Sequence, residues 1–270
     1  MEDVITEIPP PSRFLLEDLN IFTPPSRPLP LPFLLFSNPG SKEPLSPSLL
    51  IIALSSPSLD LFHHLSLKTL IGTLILPEIP FSGNSIETSL RDKSCNIYAL
   101  NNADGSSQST VVVSVQYPIT PKRSLAVAKL LIGKQIVPHR VLILDSLQSR
   151  NFRGKLSRDD TLTYKLETSS ERSVSGDGGN SALLKGVDYF PSGSMVDGLG
   201  AALLGRCQMR KIKGALLVSW PEFGPPAKSL VKSILLKILP DVDFSSSSVS
   251  NEDDLLLRFH DRYIDSEIYT

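Results

Sequence analysis

The sequence predicts an α/β fold in which a layered, mixed β-sheet is flanked by helices. Short, uninterrupted apolar runs of strand length recur along the chain, as at residues 49–54. Segments in which apolar residues recur at helical spacing follow them, as at residues 121–132. Strands of about four to eight residues that alternate with helices of about ten to fifteen are typical of a layered α/β sheet. A turn-rich strand pair in the first half makes the predicted sheet mixed rather than purely parallel.

Length and composition limit the class of protein. The 270 residues can form one large domain or two small ones, and a hydrophobic content of 41% is enough for a sizeable core. The formal net charge of −1 argues against a general nucleic-acid-binding protein. The two cysteines lack metal-ligand spacing, the first residues lack a charged-then-apolar leader, and no apolar run has membrane-spanning length. We therefore predict a cytoplasmic protein, with the nucleus left open as a further location.

Proline marks the first segment of the chain. Residues 1–47 contain eleven of the 22 prolines, so we predict an extended or irregular arm there. Within it, the apolar run Phe33–Phe36 can pack on the body as part of the arm or as an edge strand. We predict that a single α/β domain follows at residues 48–264 and that residues 265–270 form a tail.

The first half of this domain contains four predicted strands and two predicted helices. The strands lie at residues 49–54, 70–76, 96–100 and 110–117, and the helices begin at Ser56 and span 121–132. The sequence Asn-Asn-Ala-Asp-Gly at 101–105 predicts that the third and fourth strands pair with each other. In the second helix we expect four apolar residues to face the core, namely Leu125, Ala128, Leu131 and Ile132.

The second half alternates in the same way, with one long interruption. A buried strand is predicted at 140–145, a helix rich in glycine and alanine at 194–209, a strand at 215–219 and a helix at 226–239. Small residues in the glycine-rich helix allow it to lie close to a sheet or to another helix. The interruption, residues 148–193, is rich in serine, charge and glycine, and we predict a flexible loop with short elements at 161–166 and 183–187.

The chain ends in an acidic segment. Residues 241–270 hold eight acidic side chains against two basic ones, whereas residues 122–158 hold nine basic side chains against Asp145 alone. A helix is predicted at 250–264, because polar and acidic residues at its start favour helix initiation. An apolar, an aromatic and a small residue then remain before the terminal carboxylate, namely Ile268, Tyr269 and Thr270. An inert, frayed terminus is the alternative for these residues.

Motifs of catalytic chemistry are few. Ser192-Gly193-Ser194 lacks the flanking glycines of a nucleophile elbow. A Gly-x-Gly at 198–200 is followed by Leu203, where a dinucleotide fingerprint requires glycine. Cys207 lies in an apolar helix and is expected to be a packed thiol. Asp145, at the end of a buried strand, stands where a doubly wound enzyme carries a catalytic carboxylate, with a loop-capping role as the alternative.

One stretch resembles a known family. Residues 203–217 read Leu-Leu-Gly-Arg-Cys-Gln-Met-Arg-Lys-Ile-Lys-Gly-Ala-Leu-Leu. They resemble the helix-to-strand segment of the proteasome assembly chaperone 1 family, whose animal members also carry a Cys-Gln pair and a Lys-Ile pair before an apolar strand. The terminal Ile268, Tyr269 and Thr270 look like the tail of the same family. The matches cover about the last quarter of the chain, and the proline-rich start departs from the animal members.

The resemblance implies a non-enzymatic chaperone for 20S proteasome assembly. Such a chaperone pairs with a related second chaperone subunit as a heterodimer, sits on the α-ring, and docks on proteasome α-subunits through its tail, here Ile268, Tyr269 and Thr270. The resemblance also implies a nucleoside-phosphorylase-like fold without that fold's active site, and no cofactor. The alternative is an α/β small-molecule enzyme of the nucleoside phosphorylase or hydrolase kind, with residues 146–193 as a lid. That alternative requires a concave pocket with convergent polar groups.

Overall fold

The computed structural model describes residues 30–37, 43–65, 67–78, 92–100, 109–157, 159–176 and 182–244. In these residues one mixed sheet of nine strands lies between helices on both faces, which confirms the predicted layered α/β architecture. The strands are β1 (Phe33–Phe36), β2 (Leu49–Ala53), β3 (Lys68–Ile75), β4 (Cys95–Leu100), β5 (Thr110–Val115), β6 (Arg140–Ser146), β7 (Leu162–Glu167), β8 (Asp188–Tyr189) and β9 (Lys213–Trp220). The helices are α1 (Ser56–His63), α2 (Pro121–Leu131), α3 (Ser169–Gly176), α4 (Gly198–Met209) and α5 (Pro225–Ile238), with a 3-10 turn at Ser149–Asn151.

The strand order is β1-β3-β4-β5-β2-β6-β9-β7-β8. The four central strands, β5, β2, β6 and β9, are parallel to one another. At one end of the sheet, β4, β3 and β1 follow β5 in antiparallel pairs. At the other end, β7 pairs antiparallel with β9, and the short β8 pairs parallel with β7. The predicted pairing of β4 with β5 is therefore confirmed. None of the helices in the described ranges is long and apolar enough to cross a membrane.

Each central strand is buried on both faces, because its side chains alternate between two apolar layers. Leu50 and Ile52 of β2 enter the layer that also contains α2 and α4, whereas Ile51 and Ala53 enter the layer of α1 and α5. Continuous apolar runs are typical of parallel strands covered on both sides, and this is why the sequence predicted these strands well.

The buried side of helix α2 is rotated slightly from the predicted one: Ala128, Leu131 and Ile132 are buried as predicted, but Leu125 is not. Leu125, expected in the core, is 49% exposed, whereas Val127, Ala128 and Leu131 are fully buried. The rotation brings Arg123 into a buried position, where its guanidinium donates two hydrogen bonds of 2.9 and 3.0 Å to the Glu78 carboxylate. Because its charge is paired with that of Glu78, Arg123 can occupy a buried position for which the apolar pattern alone predicts a hydrophobic residue.

Much of the segment 148–193 is ordered, so the prediction of a flexible loop was wrong for these residues. β7 is an interior strand between β9 and β8, and it matches the short element expected at 161–166. Lys165 and Glu167 are both buried in it, with Lys165 Nζ 2.9 Å from Glu167 Oε1, and the Tyr189 hydroxyl donates to Glu167 Oε2 at 2.7 Å. The sequence did not indicate that this strand is interior to the sheet, because paired charges rather than apolar residues fill its buried positions.

Helix α4 begins at Gly198 rather than at Ser194. The Ser194 hydroxyl does not cap the helix, because it accepts the N–H of Arg153 at 2.8 Å. Where α4 crosses the sheet, a close approach depends on a glycine of the strand: a Cβ at Gly214 of β9 would lie 3.0 Å from Cys207 Cβ. At Gly205, by contrast, a Cβ would meet no atom within 4 Å.

Two predicted segments lie partly or wholly outside the described residues. They are the helix expected at 250–264 and residues 1–29 of the proline-rich arm. Within that arm, Phe33–Phe36 forms an edge strand, which decides between the two alternatives for this run.

Leu125 and Leu131 of α2 provide a direct test of this rotation. Leu131→Ala should lower the free energy of unfolding by about 2–5 kcal/mol, because it removes a fully buried side chain and leaves a cavity. Leu125→Ala should change it by no more than about 0.5 kcal/mol, because that side chain is half exposed. Urea unfolding followed by circular dichroism measures both, and equal losses would place Leu125 in the core.

Candidate functional site at the carboxyl edge of the sheet

The carboxyl ends of the central parallel strands form the edge at which open α/β sheets bind ligands. β6 ends there with Asp145 and Ser146, and Ser219 of β9 lies beside Ser146 in the parallel ladder. Asp145 is the carboxylate for which the sequence left a catalytic and a loop-capping role open. We therefore take this edge as the candidate functional site.

The two oxygens of Asp145 have different surroundings. Oδ1 accepts the backbone N–H of Ser146 at 2.8 Å, which fits the loop-capping role. Oδ2 lies against Gly200, the third residue of α4, where a Cβ would collide with it. Glycine at position 200 therefore allows the first turn of α4 to rest on the carboxyl group. A loop-capping role explains the hydrogen bond that Oδ1 accepts, but it does not explain why Oδ2 is packed against Gly200.

Burial raises the pKa of Asp145 from its ordinary value of 3.8 to about 6. The hydrogen bond from Ser146 lowers the pKa, and the negative charges of Asp197 and Glu222 raise it further. Asp197 is itself paired with Arg150 at 3.2 Å, in an exposed ion pair. The site thus holds a carboxyl group that changes charge slightly below neutral pH.

The cavity at this edge is very small. Its volume is about 10 Å³, which is close to the smallest space that holds one water molecule. Ten residues line it: Asp145, Ser146, Leu147, Gln148, Asn151, Phe190, Met195, Val196, Asp197 and Val218. A drug-sized ligand needs a pocket of roughly 300 Å³ or more, so this cavity does not accept a substrate of that size as it stands.

Phe190, which lines the cavity, belongs to a cluster of three aromatic rings. Phe152 stacks on Tyr164 with ring centroids 5.7 Å apart, and Phe190 lies 6.2 Å from Phe152 and 6.0 Å from Tyr164. Such clusters add to the stability that the buried apolar area already supplies. The aromatic cluster joins the chain after the 3-10 turn, strand β7 and the chain after β8 into one packed unit.

Hydrogen bonds hold this part of the chain in place. The backbone N–H of Met195 donates to the carbonyl oxygen of Asn151 at 2.9 Å, and the Trp220 indole donates to the carbonyl oxygen of Ser157 at 2.8 Å. In the alternative enzyme hypothesis, residues 146–193 are the lid. The structure has it packed over the carboxyl edge, so a substrate would have to displace it.

The cysteines are not placed for catalysis. Cys95 and Cys207 are both buried, and burial raises the pKa of each thiol to about 12, so neither forms a thiolate at neutral pH. The expectation of a packed thiol at Cys207 is confirmed. Among the residues that the structure describes, no group of three or more His, Cys, Asp or Glu side chains is arranged to hold a metal ion.

The family-like stretch 203–217 runs from α4 through a turn into β9. Leu203 and Cys207 are fully buried against the sheet, and Lys211 in the turn has a positive φ of 56°. The predicted docking residues Ile268, Tyr269 and Thr270 lie outside the described residues, so their role stays a prediction.

Comparison with known proteins relates the chain to others by structure. No protein-family model matches it, and no curated protein matches it. It is similar to Pyrococcus furiosus PbaA, an archaeal homologue of proteasome-assembly chaperone, with a TM-score of 0.57, 15% sequence identity, and coverage of 88% of this chain and 94% of that one.

Two further structures share the fold. Pyrococcus furiosus PbaB, an archaeal proteasome activator, matches with a TM-score of 0.58 and 13% identity, over 88% of this chain and 99% of that one. A Thermoplasma acidophilum protein of unknown function matches with a TM-score of 0.54 and 16% identity, over 84% and 89% of the two chains. At these identities the likeness establishes a common fold.

The environment of Asp145 makes stability depend on pH. Because its pKa of about 6 in the folded chain exceeds the ordinary 3.8, the folded state binds the proton more tightly than the unfolded state. The free energy of unfolding should therefore fall as the pH rises from about 4 to about 6. Asp145→Asn keeps an acceptor for Ser146 but cannot ionise. It should match the wild type near pH 4 and exceed its stability by about 1–3 kcal/mol at pH 7.

Urea unfolding of the wild type and of Asp145→Asn at several pH values measures this difference. Asp197→Asn is the matched control, since it removes a nearby charge but leaves the carboxyl group on Gly200. If Asp145→Asn is less stable than the wild type at pH 7, the ionised carboxylate is favoured by its surroundings and this description of the site is wrong.

Proposed function

We propose that the chain is a non-enzymatic chaperone for assembly of the 20S proteasome. The observation that carries the proposal is the fold shared with PbaA, which extends over 88% of this chain and 94% of that archaeal chaperone homologue. The family-like stretch at residues 203–217 supports it independently, because it was identified from residues rather than from shape.

The closed carboxyl edge supports a non-enzymatic role. In open α/β enzymes this edge holds the substrate, whereas here Gly200 lets α4 press on Asp145 and leaves a cavity of about 10 Å³. A cavity of this size does not hold a substrate unless the surrounding segments move, which favours a role for the surface of the chain. A chaperone that holds other subunits acts through its exposed surface in the same way.

The partners that we propose are a related second chaperone subunit and the α-subunits of the ring. The chain and the related subunit form a heterodimer, and the heterodimer binds the forming α-ring. Exposed basic side chains support an electrostatic contact with the ring or with the related subunit, namely Arg150, Arg153 and Lys155. Charge complementarity of this kind mainly speeds association.

We further propose that the tail anchors the chaperone on the ring. Ile268 and Tyr269 enter a groove between adjacent α-subunits, and the carboxylate of Thr270 pairs with a lysine there. A tyrosine ring suits such a groove because it buries apolar area while its hydroxyl finds a polar partner. Burial of the ring contributes about 4 kcal/mol gross, and association costs at least about 4 kcal/mol. The isolated tail therefore binds weakly, and tethering to the folded body makes its binding effective.

An enzyme of the same α/β architecture is the second candidate, and one observation favours it. Asp145, with a pKa of about 6, is a carboxyl group at the edge where such an enzyme holds its acid or base. This function would require the segments that carry Phe152 and Phe190 to open and enlarge the cavity. A ligand of the enzyme would then raise the melting temperature of the chain, and this increase would be lost in Asp145→Asn.

The tail offers the most specific test of the chaperone proposal. Tyr269→Ala, or deletion of residues 268–270, should weaken binding to purified α-rings by about tenfold or more, because the buried ring and the carboxylate contact are lost. Thr270→Ala is the matched control and should bind as the wild type does, because it keeps the carboxylate in place. Biolayer interferometry measures the dissociation constants of the wild type and of the three variants.

Heterodimer formation should be unaffected by these tail changes, which separates anchoring from subunit pairing. If a chain that ends at Asp265 binds α-rings as tightly as the full chain, the tail is an ordinary terminus and the anchoring proposal is wrong.

A further inference from the structure

The described part of the chain ends at the amino edge of the sheet, where the central parallel strands begin. Helix α5 starts just after the carboxyl end of β9, and its buried residues extend from Ala227 to Leu235, so it returns along the sheet toward that edge. Phe244 then packs against Phe62 of α1, with ring centroids 6.1 Å apart, in the layer of α1 and α5. Residues 245–270 therefore continue from a point near the amino edge.

This C-terminal segment is acidic, and the proposed tail contact does not use its acidic residues. Residues 245–270 hold six acidic side chains against two basic ones. Three of the acids are consecutive, namely Glu252, Asp253 and Asp254, and we call them the acidic triplet. Residues 245–251, which carry no charge, join the triplet to Phe244.

Four exposed basic side chains lie at the same edge of the sheet. Helices α2 and α4 both end there, and Lys134 follows α2, whereas Arg210 and Lys211 follow α4 and Lys213 begins β9. The ends of the two helices are in contact, because Nη1 of Arg210 donates to the carbonyl oxygen of Gly133 at 3.0 Å. We call Lys134, Arg210, Lys211 and Lys213 the amino-edge cluster.

Little negative charge balances the amino-edge cluster. Among the described residues, no ion pair includes any of its four members. Glu171, a carboxylate at this edge, is buried and paired with Arg140. Glu43 is the exposed acid of this region, since it lies two residues before the bridge that Leu45 forms with Ile136. The cluster thus presents a positive surface that an acidic segment fits.

The acidic triplet is close enough along the chain to reach this surface. An extended chain spans at most about 3.3–3.6 Å per residue, so the triplet can lie up to about 26–36 Å from Phe244. Phe244 is on the α1 and α5 face of the sheet, whereas the cluster is on the α2 and α4 face. A helix is about 10 Å across, so the path from one helical layer to the other around the edge is roughly 20–30 Å. The connecting segment is long enough, with little excess length.

We propose that the acidic triplet binds the amino-edge cluster of the same chain. Covalent attachment through residues 245–251 gives the triplet a high effective concentration at the cluster, whereas an acidic segment of another protein would have to bind from solution. The other exposed basic group, Arg150, Arg153 and Lys155, is a poorer site for the triplet. It lies at the opposite, carboxyl edge of the sheet, and Arg150 is already paired with Asp197 at 3.2 Å.

The contact is weak and depends on salt, because ion pairs at a protein surface are individually weak and are screened by dissolved ions. It attaches the chain to the folded body at residues 252–254 in addition to Phe244. The proposal concerns two parts of one chain and does not rest on the proposed chaperone function. If the tail also binds α-rings, residues 255–270 rather than 245–270 set the distance that Ile268 and Tyr269 can reach from the body.

Zero-length crosslinking of the full chain tests the contact directly. A carbodiimide joins a carboxylate to a lysine amine when the two groups touch. At low salt the acidic triplet should link to the three lysines of the amino-edge cluster. Lys155, exposed at the carboxyl edge, is the matched control and should link at least about fivefold less. Salt at 1 M should reduce the links to the cluster by about fivefold or more, since the Debye length is then only about 3 Å.

The length of the connecting segment provides a second test that leaves every charge in place. Deletion of residues 245–248 shortens the reach of the triplet to about 13–22 Å, so most links to the cluster should be lost. Replacement of the same four serines by four glycines is the matched control, because it keeps the length, and its links should persist. Both variants should keep the melting temperature of the wild type, since Phe244 and the core are unchanged.

A mixture of isotopically light and heavy chains shows whether the linked residues belong to one chain. The proposal predicts links within light chains and within heavy chains. Links that join a light chain to a heavy one would instead place the contact between two copies and overturn the proposal. It would also be overturned by an absence of links between the triplet and the cluster, by equal linking to Lys155, or by a deletion variant that links as well as the glycine control.

Discussion

The four central parallel strands bury almost all their side chains on both faces, and this requires a helical layer on each side of the sheet. Alternate residues of β2 and β6, such as Ile52 and Ile143 in one layer and Ile51 and Leu142 in the other, divide the core in two. The helices α2 and α4 cover one face, and α1 and α5 cover the other. Because the strands are parallel, their carboxyl ends meet at one edge, where the structure places Asp145.

The way in which α4 packs on the sheet then decides what that edge can do. Glycine at position 200 brings the first turn of α4 against the carboxyl group of Asp145, and Phe190, which packs with Phe152 and Tyr164, lines the remaining space. The cavity at this edge is therefore only about 10 Å³ in volume.

The sequence allowed the central strands to be predicted because their continuous apolar runs follow directly from burial on both faces. It did not reveal β7 as an interior strand, since Lys165 and Glu167 occupy buried positions there as an ion pair. Asp145 was predicted as a candidate site residue from its place at the end of β6. Its contact with Gly200 could not be predicted, because it depends on how α4 crosses the sheet. A signal was present in the small residues of α4, but it did not indicate which of them meets the carboxyl group.

We propose that this chain acts by holding proteasome subunits rather than by turning over a small molecule. Affinity purification of the full chain from cells that are assembling proteasomes, followed by quantitative mass spectrometry, tests this proposal most directly. We expect recovery of one related chaperone subunit together with the α-subunits of the 20S proteasome, in excess over the β-subunits of the mature particle. Recovery of the chain without α-subunits, together with a bound small molecule at the edge that carries Asp145, would contradict it.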